Sequence, residues 1–368
     1  MILLRVVAVA AGVALVLATI GSAMKTVVLP RARASRITRS VFLVLRWVFG
    51  LITRPMSFEA RDRILGAYAP IGLVVLLGTW LAFVLVGFIG IFWGIEQAGV
   101  RAAFVFSGSS LLTLGFAPPG SLESTALAFV EAGIGLFLLA LLITYLPSIY
   151  SAYSRREVGI AALEVRAGSP PSAREMIWRY RRLERLPEIR EVWVEWQRWF
   201  AEVEESHTTY PVLSFFRSAH PDHSWVTSAG AVLDAASIVT SSVDIPRDVE
   251  AEFCIRAGYL CLRGIADYFQ IAHDPDPRPG DPISVTREEW EALLAELERA
   301  DVPLKPDLEQ AWRDFAGWRV NYDTVLLALA SLTDAPPAPW SSDRTDGMRI
   351  RPPVFRRLTG PQRGDGAR

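Results

Sequence analysis

Cysteine is scarce in this chain, with Cys254 and Cys261 its only two among 368 residues. That excludes a disulfide-stapled secreted fold. Seven residues apart on a helix, the two share one face and read as buried thiols of a core. Charge of one sign is equally lacking. Lys and Arg number 38 against 39 Asp and Glu, so no global field marks a nucleic-acid partner. Histidine is limited to four residues. His220-Pro-Asp-His223 has metal-ligand residue types, but its proline works against a helical pair and no cysteine accompanies it. A loop held by local hydrogen bonds is therefore expected, with neither metal nor cofactor. No P-loop, dinucleotide fingerprint or serine-hydrolase elbow occurs, and strand signals are few, so an enzyme is not expected.

What the chain has in quantity is apolar residues, 51% of the total, and the long runs of them precede Arg155. A spanning helix needs about 20 apolar residues. Three stretches qualify: Val6 to Thr26, the charge-free run Ile64 to Ile95, and the segment after Glu123 to Ser154, whose one internal charge is Glu131. The basic cluster Lys25, Arg31, Arg33, Arg36 and Arg39 follows the first run instead of preceding it. That order argues against a signal peptide. By the positive-inside rule it places Met1 outside, the basic loop in the cytoplasm and the segment 96–123 outside. Arg155, Arg156 and Arg166 mark the cytosolic exit. The expectation is an all-α, multi-pass protein of the plasma membrane. Its parts are an N-terminal span (1–29), a basic interfacial segment (30–63), a two-helix module (64–154), a helical cytosolic domain (155–333) and a disordered basic tail (334–368). Arg36, Arg39 and Arg46 fall at helical spacing among Phe42, Leu45, Trp47 and Phe49, which suits contact with anionic membrane lipid.

Between the second and third spans lies Ala102-Ala-Phe-Val-Phe-Ser-Gly-Ser-Ser-Leu-Leu-Thr-Leu-Gly-Phe-Ala-Pro-Pro119. It is too apolar for an ordinary loop and too interrupted for a span. A half-helix entering the outer leaflet and a strand-like return satisfy both facts, provided the return is buried in protein or lines water. Thr113-Leu114-Gly115-Phe116 resembles the Thr-Val-Gly-Tyr filter of potassium channels, in the same place between outer and inner helices. The chain thereby resembles bacterial potassium-channel-like membrane proteins with a two-helix pore and a helical cytosolic domain. Tyr145 to Glu157, Arg166 to Pro171 and Ala311 to Tyr322 extend that resemblance beyond the pore. It implies a homotetramer in which carbonyl rings from Thr113, Leu114, Gly115 and Phe116 bind a monovalent cation, potassium in the family. Ala117 stands where the family has a second glycine, followed by Pro118 and Pro119. An alanine resists positive φ, so the outermost carbonyl ring is expected to be missing or redirected.

In the inner helix, Glu131 is either a functional acid or a hydrogen-bond partner of Ser107, Ser109 or Ser110 in the pore helix. Gly133 and Gly135 serve either as a hinge or as close-packing positions. Pro147 either kinks the helix at a gate or marks its departure from the bilayer. Beyond Arg155, capping boxes at Ser172-Ala-Arg-Glu175 and Thr286-Arg-Glu-Glu289 open helices. A stripe of Val192, Trp193, Trp196, Trp199 and Phe200 follows Pro187, and further helices are expected over Ser224–Ser241, Asp248–Ile271 and Pro306–Leu332. Two functions fit this reading. One is a tetrameric cation channel regulated by its cytosolic domain. The other is a membrane-anchored scaffold or sensor whose pore-like segment is vestigial.

Overall fold

The structure is a computed structural model that describes residues 2–29, 35–96 and 99–345. Among these residues it is all-helical, with one isolated antiparallel bridge between Val243 and Leu304. Three helical stretches are long and apolar enough to cross a membrane: Ile2–Val28, Phe58–Ile95 and Leu122–Ala167. These are the three runs expected from composition, as in a membrane protein. The chain divides into two units, residues 1–55 with 67–151 and residues 56–66 with 152–368.

Unit 1 contains α1 (Ile2–Ala23), α2 (Arg36–Thr53), α4 (Tyr68–Ile95), α5 (Val100–Leu111) and the start of α6 (Leu122–Ala167). α1 lies along α4 at very short range. A Cβ at Gly12 would overlap the carbonyl oxygen of Gly87, and one at Gly87 would stand 2.9 Å from that of Gly12. Where lipid competes for apolar contact, such backbone proximity is what makes two helices adhere. A single turn of π-helix, Met24–Val28, extends α1. Trp80 of α4 donates from Nε1 to Ser22 at 3.0 Å, and Thr26 pairs with Thr38 of α2 at 2.7 Å. Ser35 caps α2 by accepting from the Thr38 amide at 3.1 Å.

Unit 2 contains α3 (Phe58–Leu65), the end of α6, and α7 (Ala173–Arg182), α8 (Arg190–Thr209), α9 (Trp225–Ser242), α10 (Val249–Tyr268), α11 (Arg287–Arg299), α12 (Leu308–Arg319) and α13 (Asp323–Thr333). α9 sits at its centre, with all but one of its residues buried, and the tryptophan stripe of α8 packs in the same core as Cys254 and Cys261. Burial pushes both thiols up from their ordinary pKa, so they stay protonated and inert. Ser172 and Thr286 cap α7 and α11, the latter as a complete capping box. The single helix expected over Pro306–Leu332 is two, α12 and α13, because the chain turns at Val320–Tyr322. Of the expected tail, residues 334–345 pack on unit 2: Ala338 and Ser341 are buried, and Arg344 pairs with Glu289 at 2.9 Å. Residues 346–368 lie outside the described residues.

His207 of α8 is wholly enclosed. Its Nε2 lies 3.2 Å from Arg156 Nη1, its Nδ1 lies 3.2 Å from Ser206, and the Trp225 ring is 5.0 Å away. Burial, and then the Arg156 charge, hold the imidazole well below its ordinary pKa. The unfolded chain therefore takes up a proton near pH 6.5 that the folded chain refuses. Stability is complete above that pH and falls below it by about 1.4 kcal/mol per unit while the folded ring stays neutral. Denaturation midpoints followed by tryptophan fluorescence between pH 7 and 5 are expected to show this slope. His207→Gln, which still accepts from Arg156, is expected to flatten it.

Candidate functional site

The segment after α5 doubles back on the helix that leads into it. The amide of Thr113 donates to the Ser110 carbonyl at 3.0 Å, and that of Leu114 donates to the Ser109 carbonyl at 2.8 Å, with Gly115 following at 3.4 Å. The amides of Phe116 and Ala117 then donate to Ser109 Oγ at 3.1 and 3.2 Å. Ser109, 1% exposed, thus gathers four successive N–H groups on two oxygens. Consecutive amides converging in this way form a nest, here filled by a serine in place of an anion. Among the described residues none donates to the carbonyls of Thr113, Leu114, Gly115 or Phe116, and all four residues are exposed.

The dihedral angles match this one-sided arrangement. Thr113 has φ +54° and Gly115 φ +71°, with no positive φ at Leu114 between them. For glycine this conformation is free. For a β-branched threonine it is strained by about 1–3 kcal/mol, and strain of this kind collects where function requires it. Among the described residues a Cβ on Gly115 would find no atom within 4 Å, so its glycine answers to the backbone angle and not to crowding. Ala117 has no positive φ, and it packs against the apolar core of unit 1. The far end of the loop is tied by Gly120, whose amide donates to Glu96 Oε1 at 3.0 Å.

Behind this loop α6 meets α5 in two rungs. Ser107 donates to Glu131 Oε1 at 2.5 Å, and one turn along a Cβ on Gly135 would stand 2.5 Å from the Leu111 carbonyl. Glu131 is fully buried, and of the three serines considered for it the structure selects Ser107. Gly135 is a close-packing position. Gly133 has no atom of the described residues within 4 Å of its missing Cβ. α6 continues without interruption through Pro147 to Ala167. On α2, Arg36 is exposed while Arg39 and Arg46 are half-buried.

Sequence reasoning expected a strand-like return after a short helix. The return is instead a run of hydrogen-bonded turns folded back on Ser109, which takes up the amides a second strand would otherwise pair. That reasoning missed Ser109, Thr113 as a left-handed residue, and the Glu96 tether, because each depends on where the chain folds back. Ser109→Ala removes one of the two gathering oxygens. Amide exchange of Phe116 and Ala117 in the full chain is expected to accelerate on the order of tenfold, at about 1 kcal/mol per lost bond, with Leu114 little changed.

Among the described residues no three His, Cys, Asp or Glu side chains gather as a metal site; His223 instead lies 3.4 Å from Glu164. Comparison of the chain with protein-family models, with curated proteins and with solved structures finds no match.

Proposed function

We propose that the chain is one subunit of a homotetrameric cation pore of the potassium-channel type, with Thr113–Phe116 as its filter and unit 2 as a cytosolic regulatory domain. The observation that carries this reading is the loop backbone: amides gathered inward by Ser109, left-handed Thr113 and Gly115, and four carbonyls left without a donor. Rings of such carbonyls replace the hydration shell of a monovalent cation when several copies surround an axis. One copy of the loop per chain requires four chains for a four-fold ring. The apolar faces of α1, α4 and α6, exposed at Leu17, Val74 and Leu136 among others, suit lipid. The loop then re-enters the membrane from the outside, and the Ser107–Glu131 and Leu111–Gly135 rungs brace it against the inner helix.

A second reading, a membrane-anchored scaffold with a non-conducting loop, is favoured by one specific feature. Ala117 packs inward without positive φ where a potassium filter continues with glycine. The two readings differ in stoichiometry. Native mass spectrometry or cross-linking in native membranes is expected to give four copies. A monomer or dimer carrying other proteins would favour the scaffold.

A further inference from the structure

Helix α3 poses a problem of attachment. None of its side chains is fully buried and no other helix packs on it extensively, yet it belongs to unit 2 while α4, two residues on, belongs to unit 1. Charge holds it. Asp62 of α3 is paired with Arg217 Nη1, and both side chains are largely shielded, 12% and 13% exposed. Arg61 Nε lies 3.0 Å from Asp334 Oδ2. The second arm of the Arg217 guanidinium, Nη2, donates to the carbonyls of Thr333 and Asp334 at 2.9 and 3.0 Å. Those carbonyls are presented by the left-handed turn at Asp334, φ +52°, that ends α13.

Arg217 also terminates the strap that holds α6. Tyr153 donates its hydroxyl to the Arg217 carbonyl at 3.0 Å. Arg156 donates to the carbonyls of Leu213 and Phe216 at 2.9 and 2.8 Å. Residues 211–217 therefore grip two pieces of chain, α3 and the length of α6 beyond Ser151. Each is covalently continuous with an apolar helix, α3 with α4 and the α6 extension with the first part of α6.

We propose that Arg217 is the positioning residue of a clasp that lets unit 2 act on α4 and α6 together. A rearrangement in unit 2 that moves residues 211–217 or the end of α13 pulls on the covalent leads of both helices at once. The fork geometry matters: one planar guanidinium serves a carboxylate and two carbonyls, which an ammonium cannot do equally well. The clasp itself is a property of unit 2, whereas its effect on opening rests on the pore reading.

The test uses the full chain in lipid nanodiscs and liposomes. Asp62→Asn removes the α3 partner of Arg217 while leaving Arg217 its carbonyls and Arg61 its pair with Asp334. Arg217→Gln loses the Asp62 pair and the ionic hold on the α13 end together, and Asp62→Glu keeps the charge. Amide exchange over Phe58–Leu65 and the first turns of α4 is expected to rise by about tenfold or more in Asp62→Asn and Arg217→Gln, with α9 and α10 unchanged. Asp62→Glu is expected to behave as wild type. Potassium flux in the two severed variants is expected to change by roughly fivefold or more in the same direction. Unchanged exchange over Phe58–Leu65 overturns the clasp. Released α3 with wild-type flux overturns its transmitting role. A wild-type chain without any flux rejects the pore reading instead, and exchange in the first turns of α4 then decides: raised upholds the clasp as a transmitter, unchanged overturns it.

Discussion

Gly115→Asp is expected to abolish cation flux, by about 100-fold or more, while the chain still inserts and keeps its helices. Two effects combine in that variant. The backbone at Gly115, φ +71°, disfavours any L side chain by roughly 1–2 kcal/mol, so the peptide planes on either side shift. Four carboxylates would also stand around one axis among the carbonyls they displace, trapping cations or swinging the loop away. Packing within the chain does not enter, since no atom of the described residues lies within 4 Å of the added Cβ, and for that reason folding is expected to survive. Gly115→Ala isolates the first effect and is expected to reduce flux less. The pair separates backbone conformation from charge.

Arg319→Leu is expected to destabilise unit 2 by about 3–5 kcal/mol, against a whole-domain stability of roughly 5–15 kcal/mol. Arg319 is fully buried where α9, α12 and α13 meet. It pairs with Asp234, donates from Nε to Asp323 at 2.7 Å, and donates to the Trp340 carbonyl at 2.6 Å. Tyr322 adds a hydroxyl to Asp234 at 2.9 Å, and Ser284 adds one to Asp323 at 2.6 Å. Burial works against the guanidinium charge, but Asp234 and Asp323 outweigh it and raise its pKa. Removing the cation leaves two carboxylates without a counter-charge in a dry interior. It also frees the chain at Trp340. Asp234→Asn keeps the hydrogen-bonding shape and is expected to cost less, about 1–3 kcal/mol. Chemical denaturation of the full chain in detergent measures both. A loss below about 1 kcal/mol for Arg319→Leu would mean that apolar packing alone secures these helices.

How far the sequence led depended on the range of the interaction. Three apolar helices, the caps at Ser172 and Thr286, and the buried cysteine face were legible because each is written within a few residues. Arg319 was not. In Trp318-Arg-Val-Asn-Tyr322 it looks like a solvated helix residue, and its partner Asp234 lies 85 residues away in sequence. The same burial explains why α12 and α13 read as one helix. Apolar periodicity runs on through Val320, whereas the turn is set by Tyr322 and Asp323 reaching partners elsewhere in the core. Ser109 was hidden for a related reason: within α5 it is one of three serines. Its role exists only once the loop has folded back on it. The ordered stretch 334–345 was read as tail because proline and polar residues dominate it, and its anchors, Arg319 and Glu289, lie outside it.

In the proposed pore, cations pass along the carbonyls of Thr113–Phe116. Potassium flux through liposomes holding the purified full chain tests it most directly, with Gly115→Asp in parallel and sodium as the competing ion. The expected result is flux in the wild type, none in Gly115→Asp, and a potassium-to-sodium ratio that reveals what Ala117 does at the fifth position. Equal flux in wild type and Gly115→Asp would contradict the claim, as would a wild-type chain that carries no flux.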